Sequence, residues 1–214
     1  MPDRLRVPGA VSATGAMRAA QRSDVVRAAC AADVPASPIK PTRRKSHMSW
    51  FQTASLIAAT LTTGLMAGLF AAFSYAVMPG LSRADDRSFI QSMQGINVAI
   101  INGWFMLCFM GAIAFAGLAA VLHFRGDGRP ALPWIIAGLV LYLVMFIITS
   151  AVNVPLNNQL VAAGDVSKIS DLAAVRAQFE AKWVTWNIVR TIASTGAFGC
   201  FIWALIQHGR SLAG

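Results

Sequence analysis

Residues 132–152 read LPWIIAGLVLYLVMFIITSAV, and this stretch, without a single charged side chain, decides the fold. A helix that crosses a bilayer needs about 20 largely apolar residues. Three further stretches qualify, at about residues 54–78, 98–124 and 186–207. Because hydrocarbon offers no water to the backbone, each stretch must close its own hydrogen bonds as a helix. The sequence therefore predicts an all-α fold, a bundle of four transmembrane helices.

The composition agrees with a membrane protein. The chain is 56% hydrophobic and 13% charged, which is apolar for a soluble domain. Four buried helices of a soluble protein would need polar outer faces, and none of the four apolar stretches has one. We therefore predict an integral membrane protein that is surrounded by membrane lipids, in the cytoplasmic membrane.

The first 47 residues differ from the rest in charge and composition. They hold nine Lys/Arg and three Asp, and they are rich in Ala, Arg, Pro and Ser without an apolar period. This predicts a disordered basic extension over 1–47 and a membrane domain over 48–210. Since Met48 directly precedes the first apolar stretch, we expect it to be the natural start. The basic residues are not interleaved with aromatic ones, so nucleic acid is not expected as a partner.

The basic residues also predict an orientation. The N-terminal flank carries Lys40, Arg43, Arg44 and Lys45, whereas acidic residues balance the basic ones in the connections after the first and third stretches. Because Lys and Arg accumulate on the cytoplasmic side, both termini are predicted to lie inside. The end of stretches one and three and the start of stretches two and four then meet at the outer face.

An arginine inside the fourth stretch is the strongest functional signal. Residues 183–190 read WVTWNIVR, which places Asn187 one helical turn before Arg190. A charge well inside a membrane helix costs roughly 2.5–3.5 kcal/mol on insertion scales, so it is rarely without a role. The alternative is that Arg190 extends to the lipid headgroups, since it lies about one turn inside the helix.

Polar residues from all four stretches are expected at the same end of the bundle. The candidate site consists of Ser74, Tyr75, Asn97, Asn153, Asn157, Trp183, Trp186, Asn187 and Arg190. Together they predict a pocket with apolar walls, amide donors and acceptors, and one fixed cation. The structural alternatives are helix-end capping for the asparagines and an interfacial aromatic belt for the tryptophans.

Several kinds of chemistry lack the residues that they need. No group of His, Cys, Asp or Glu has metal-ligand spacing, so no metal site is predicted. The three histidines lie away from the candidate pocket, and neither a GxGxxG motif nor a P-loop is present, so no cofactor is predicted. A single cation accompanied by amides suits the binding of an anion, for example an enolate or a phenolate.

Four segments, in order and at natural spacing, carry a family resemblance. They are GLMAGLFAAFSYAVMPGL (64–81), MQGIN (93–97), VNVPLNN (152–158) and WVTWNIVRT (183–191). Over about residues 50–207 the chain resembles the anthrone oxygenase-like integral membrane family, a four-helix domain long catalogued as a domain of unknown function. The last two segments together are the most specific part of the resemblance.

The resemblance implies a reaction. In fungal polyketide pathways, relatives are associated with the oxidation of an anthrone to an anthraquinone without a metal or a flavin. Arg190 and Asn187 would then be catalytic and stabilise the enolate oxyanion. The remaining candidates would bind the small aromatic substrate: Asn153 and Asn157 at its phenol and carbonyl edges, Trp183 and Trp186 on its flat rings, with Asn97, Ser74 and Tyr75 nearby.

The sequence shows no clear general base for this reaction. Tyr75 is a poor candidate and Glu180 lies far towards the outside. Two hypotheses therefore stand: a cofactor-independent oxygenase of anthrone-like or phenolic aromatics, and a non-enzymatic membrane protein that binds a small amphiphile or lipid or supports a partner subunit. A transporter is the third; four helices would then have to form a homo-oligomer, with which the GxxxG of Gly64 and Gly68 is compatible.

Overall fold

The structure, a computed structural model, describes residues 42–124 and 126–213, with side chains for residues 49–124 and 128–213. The chain divides at Thr42, and the helical bundle is the unit Arg43–Gly214. Residues 1–41 of the predicted disordered extension lie outside the described residues, and the first helix begins at Thr42. The described backbone is helical and contains no strand, which confirms the predicted all-α fold.

Seven α-helices follow one another along the described chain. They are α1 (Thr42–Ala72), α2 (Met78–Leu81), α3 (Asp86–Ala99), α4 (Gly103–His123), α5 (Leu132–Ile148), α6 (Val154–Ala162) and α7 (Leu172–Ala213). Two π-helical turns, Phe73–Val77 and Thr149–Asn153, join α1 to α2 and α5 to α6. Two 3-10 turns, Gly126–Ala131 and Val166–Lys168, precede α5 and α7.

Four helical spans are long and apolar enough to cross a membrane, as predicted. They run over Ser49–Leu81, Gly103–His123, Gly128–Ala162 and Leu172–Ala213. Their outward surfaces are apolar: Leu61, Val140 and Ile192 are 63%, 53% and 67% exposed. Side chains of this kind on the outside of a bundle are matched to lipid rather than to water.

Two spans continue past a proline, a residue that ordinarily ends or bends a helix. Pro79 and Pro155 each follow one of the π-helical turns, and in the third span Val154 N–H donates to Thr149 O, five residues back. Proline has no N–H and its ring crowds the carbonyl four residues earlier, so the wider turn accommodates it. For this reason the third span reaches Ala162 instead of ending near residue 152.

The second and fourth spans also differ from their predicted limits. The stretch predicted over 98–124 is divided by a break after α3, where the Asn102 side chain accepts a hydrogen bond from Phe105 N–H (3.0 Å) and caps α4. The fourth span, predicted from residue 186, begins at Leu172. Its 42 residues make a helix about 63 Å long at 1.5 Å per residue, so it extends well beyond a hydrocarbon layer of about 30 Å.

Small residues let the spans approach each other closely within the membrane-spanning core. A Cβ built on Gly64 would lie 2.8 Å from the Phe198 ring, and one built on Gly138 would lie 2.8 Å from the Phe201 ring. Phe201 is fully buried. The glycines therefore act as sites where an aromatic ring of α7 touches the backbone of the first and third spans.

One hydrophobic cluster lies apart from the main core, at the end of the bundle where α3 lies, and we name it the second hydrophobic cluster. We name this end the cavity end, after the cavity described below. The cluster consists of Phe73, Met78, Phe89, Ile90, Met93, Leu156, Leu160, Val166, Phe179 and Trp183. Arg176 of α7 adds polar contacts beside this cluster. Its guanidinium donates to Asp86 Oδ1 (3.0 Å), to Glu180 Oε2 (2.7 Å) and to the carbonyls of Ser82 and Ala84. These bonds attach the chain before α3 to α7.

The opposite end, which we name the histidine end, contains a buried pair of imidazoles. His123 Nε2 and His208 Nδ1 lie 3.2 Å apart, His208 Nε2 lies 2.8 Å from Thr53 Oγ1, and His123 Nδ1 lies 2.7 Å from Ala119 O. Both side chains are at most 2% exposed. The chain of hydrogen bonds connects α1, α4 and α7 and satisfies polar groups that would otherwise be buried without partners.

Gly138→Ala is expected to lower the free energy of unfolding by about 1–3 kcal/mol, because the added methyl group meets the buried Phe201 ring. The matched control is Gly117→Ala, where an added Cβ meets nothing within 4 Å. Alanine is preferred to glycine in a helix, so the control should keep or raise the stability. Thermal unfolding in detergent micelles measures both variants, and equal midpoints would contradict the close contact.

Candidate functional site

A cavity of about 670 Å³ lies between the spans at the cavity end. Its size falls in the range of small-molecule sites, roughly 300–1,000 Å³. The lining consists of Leu69, Phe70 and Phe73 of the first span; Ile96, Asn97, Val98, Ile100 and Ile101 around the end of α3; Phe105, Met106 and Phe109 of α4; Thr149, Val154, Asn157, Asn158, Val161 and Ala162 of the third span; and Trp183, Asn187 and Arg190 of α7. The walls are thus apolar and aromatic, with a few amides and one cation.

Arg190 is buried in the wall of this cavity, with 4% of its surface exposed. Its guanidinium carbon lies 4.5 Å from the centroid of the Phe70 ring and 5.3 Å from that of Trp183. Nη2 donates a hydrogen bond to Asn187 Oδ1 (2.8 Å), whereas the buried Nε has no partner. Among the described residues no carboxylate pairs with Arg190. The cation is therefore held by rings and one amide, and its countercharge has to come from elsewhere.

Asn187 links Arg190 to the π-helical turn of the first span. Its Nδ2 donates to Phe70 O (3.0 Å) and to Ser74 Oγ (2.8 Å), and its oxygen accepts the bond from Arg190. Ser74 Oγ also lies 3.0 Å from Thr191 Oγ1. Because its donors and its acceptor are all engaged, Asn187 acts as a support that orients the guanidinium and leaves little capacity for a ligand.

The third span fixes the indole of Trp183. Asn157 Oδ1 accepts a hydrogen bond from Trp183 Nε1 (2.8 Å), and Asn153 Nδ2 lies 3.4 Å from Trp183 O. Trp183 is 5% exposed, and its ring lies 5.6 Å from that of Phe73. The ring therefore forms a fixed wall of the cavity, and Asn157 is the residue that orients it.

Two buried polar atoms on the cavity lining have no hydrogen-bond partner in the described chain: Asn97 Nδ2 and Arg190 Nε. Asn153 Oδ1 is also unpaired; its residue is fully buried next to the lining and does not belong to it. An unsatisfied buried polar group costs about 1–3 kcal/mol, so each one is a place where a ligand or water gains a bond. The two lining atoms are both donors and suit a ligand that carries acceptor oxygens.

The structure brings together most of the candidate residues from the sequence, but not all of them. Asn97, Asn157, Trp183, Asn187 and Arg190 line the cavity, while Ser74 and Asn153 lie behind the lining and support it. Two candidates are not brought to the cavity. Tyr75 is 73% exposed and Trp186 is 38% exposed, and neither is part of the lining.

Helix geometry explains the position of Tyr75: successive residues of a helix are turned by about 100°, so Tyr75 cannot face the same way as its neighbour Ser74. Trp186 lies one turn before Arg190, near the edge of the face that carries the site, and 38% of its surface is exposed there. Sequence reasoning also missed Phe70, Phe105 and Phe109, which form the aromatic wall. The signal that could have found them is the four-residue spacing of Phe105 and Phe109 and of Phe70 and Ser74.

Apart from the Arg190 guanidinium, no titratable side chain lines the cavity within the described residues. Glu180, a distant candidate base, is engaged by Arg176 through its Nε at 2.7 Å, and it lies outside the lining. The cavity can thus hold an anion beside Arg190 and an amide donor from Asn97, but it offers no carboxylate or imidazole for proton transfer.

Asn157→Ala is expected to lower the free energy of unfolding by about 1 kcal/mol, because the Trp183 indole N–H loses its acceptor. Its neighbour Asn158 is exposed and serves as the control; Asn158→Ala should have little effect. In a Trp183→Phe background the Asn157 substitution should lose its effect, since the hydrogen bond is already absent. Additive losses in a double-mutant cycle, measured by thermal unfolding, would mean that Asn157 acts through another contact.

A comparison with known proteins bears on the identity of the chain. Residues 105–200 match the model of a protein family described as anthrone oxygenase. The matched range contains Asn153, Asn157, Trp183, Asn187 and Arg190, while the first span lies outside it. No curated protein and no solved structure matches the chain. Over residues 105–200 the chain is thus similar to the anthrone oxygenase family, and the resemblance predicted from the sequence is confirmed.

Proposed function

We propose that the protein is a cofactor-independent oxygenase that binds an anthrone-like or phenolic aromatic as its anion. One observation carries the proposal: Arg190 is a buried cation on an aromatic cavity, without a carboxylate partner among the described residues and with an unpaired Nε. A ligand that brings its own negative charge supplies the missing countercharge. An anthrone enolate or a phenolate is such a ligand, and it is also flat and apolar.

The walls of the cavity suit the rest of such a molecule. The rings of Phe105 and Phe109 are stacked at 5.2 Å between centroids, and Phe109 is stacked on Phe146 at 5.1 Å. Trp183 and Phe70 complete an aromatic surface around the guanidinium. Flat rings gain both dispersion and ring-to-ring contact in this surrounding. The unpaired Asn97 Nδ2 supports a second acceptor oxygen on the ligand.

The reaction needs no metal or flavin to balance. An anthrone loses one methylene proton to water at the membrane surface and becomes an enolate, whose oxygen is stabilised by Arg190 in the cavity. The electron-rich ring carbon reacts with dioxygen and forms a carbon–oxygen bond, and the resulting peroxide takes up a proton. Loss of water from this hydroperoxide breaks the O–O bond and leaves the second carbonyl. Anthrone and one dioxygen thus give anthraquinone and one water, and dioxygen is the only oxidant.

The alternative function is a membrane protein that binds a small amphiphile or lipid without turnover. The observation that favours it is the lack of an acid or base on the described lining. For an enzyme this lack implies that the substrate loses its proton to water before it enters the cavity, which is feasible only because an anthrone anion is an aromatic enolate. The two functions therefore differ in turnover and share the requirement for Arg190.

Arg190→Ala is expected to lower the protein-dependent rate of anthraquinone formation from emodin anthrone under air by about 10²–10³-fold, the usual loss when one oxyanion donor is removed. Ile192→Ala is the matched control, since Ile192 lies on the same helix and faces outward. The rate is followed by absorbance in proteoliposomes, with protein-free liposomes as the reference for autoxidation. Equal rates for the parent chain, both variants and empty liposomes would remove anthrones as substrates.

Binding separates the two functions. Emodin, an anthraquinone, should bind the parent chain more tightly as the phenolate than as the neutral phenol, by roughly tenfold, because only the phenolate offers a charge to Arg190. In Arg190→Gln this preference should disappear. Equilibrium quenching of tryptophan fluorescence, below and above the pKa of the ligand, measures both affinities. Binding that depends on Arg190 without any turnover would favour the alternative function, and a preference that survives in Arg190→Gln would mean that another group binds the anion.

A further inference from the structure

Part of the cavity lining is also part of the outer surface of the bundle. Val98 and Ile101 are 71% and 72% exposed, and across the cavity Val154 and Val161 of α6 are 42% and 45% exposed. Residues that line a cavity and are exposed form its rim. The rim therefore has two edges, the junction of α3 and α4 on one side and α6 on the other, and the mouth of the cavity lies between them.

The cavity does not open along the axis of the bundle at the cavity end. There the second hydrophobic cluster lies over it, with Phe89 and Met93 fully buried and Phe179 and Trp183 at most 5% exposed. Gln94 adds a link between α3 and the end of the third span, because its Nε2 donates to Leu160 O (2.9 Å) and to Gly164 O (3.0 Å). A molecule that approaches from this end meets a packed core.

The other end is closed as well. Tyr142 is buried below the cavity, and its hydroxyl donates to Phe109 O (3.0 Å), which joins α5 to α4. Met145, one turn further along α5, is fully buried too. The sideways mouth is the access that remains within the described residues.

The rim is apolar. Its α6 edge belongs to the third membrane-spanning segment, and Val98 and Ile101 of the other edge directly precede the second, which begins at Gly103. Asn158 is the single polar side chain of the rim among the described residues, next to Val154 and Val161 on the same face of α6. No charged residue of the described chain stands on this rim. Trp104, 80% exposed in the first turn of α4, lies beside it and is the kind of side chain that anchors a helix at the headgroup level. Such a rim is poorly matched to water and well matched to acyl chains just below the headgroups.

We propose that the cavity opens sideways into the bilayer, between the α3–α4 junction and α6, and that it takes its ligand from the lipid phase. The ligand class is then an amphiphile that partitions into membranes: an apolar body that passes the valine and isoleucine rim, and an acceptor or anionic end that reaches Arg190 and Asn97. The inference rests on the proposed ligand-binding role of the cavity, but it concerns the route to Arg190 and not the reaction there.

The double variant Val98→Phe with Val161→Phe narrows the mouth from both edges and leaves Arg190 in place. The matched control is Val140→Phe with Val144→Phe, which adds the same rings to an outward face of α5 that is 53% and 42% exposed and does not line the cavity. Binding of emodin to the full chain in liposomes is followed by stopped-flow quenching of tryptophan fluorescence. We expect the rim variant to slow the association of emodin by roughly tenfold, while the control behaves as the parent.

A second measurement on the parent chain needs no variant. At fixed total emodin, added empty liposomes dilute the ligand within the membrane; the observed association rate should fall in proportion to its mole fraction in lipid. A rate that follows the aqueous concentration alone, or unchanged kinetics in the rim variant, would overturn the sideways route while leaving the proposed function intact. Failure of the parent chain to bind emodin at all would overturn the proposed function and the inference with it.

Discussion

The amide of Asn187 donates to Phe70 O and Ser74 Oγ on the first span, and its oxygen accepts the bond from Arg190. This small network holds a cation in the interior of a membrane bundle, where an uncompensated charge is expensive. The rings of Phe70 and Trp183 on either side share the stabilisation. A buried arginine needs partners around it, and these come from the first span and α7, while the third span fixes Trp183. The three spans therefore pack together at this level, and the cavity is the space between them.

The two π-helical turns make this meeting feasible. Phe73–Val77 and Thr149–Asn153 each precede a proline, and each widens a span where it faces α7. The first of them contains Ser74, which accepts from Asn187, and the second contains Asn153, which donates to Trp183 O. Irregular backbone within a membrane is tolerated where it lines a cavity or finds partners. The prolines therefore shape the walls of the site, and Asn187 of α7 donates to Phe70 O, a carbonyl just before the first widened turn.

Sequence reasoning located the site through polarity. Asn97, Asn153, Asn157, Asn187 and Arg190 are unusual in apolar stretches, and antiparallel neighbours bring such residues to one end of a bundle, where the structure has them. It failed for residues whose side-chain direction matters more than their type. Tyr75 and Trp186 sit next to members of the site and are not part of its lining, while Phe70, Phe105 and Phe109 look like ordinary membrane residues and form the aromatic wall. The orientation of the bundle in its membrane, with both termini inside, stays a prediction.

By itself, the sequence determined that the membrane domain is helical, that four segments can cross a membrane, and that one arginine stands among amides near one end; the burial of Arg190 was seen only in the structure. The conclusions from the sequence depend on composition and on spacing along the chain, because an apolar segment in hydrocarbon has to form a helix to satisfy its backbone hydrogen bonds. Only the tertiary structure decided that Asn157 orients Trp183, that His123 pairs with His208 at the far end, and which donors stay free for a ligand. Hydrogen-bond partners from different spans are a matter of geometry between helices, and residue spacing within one helix does not contain that information.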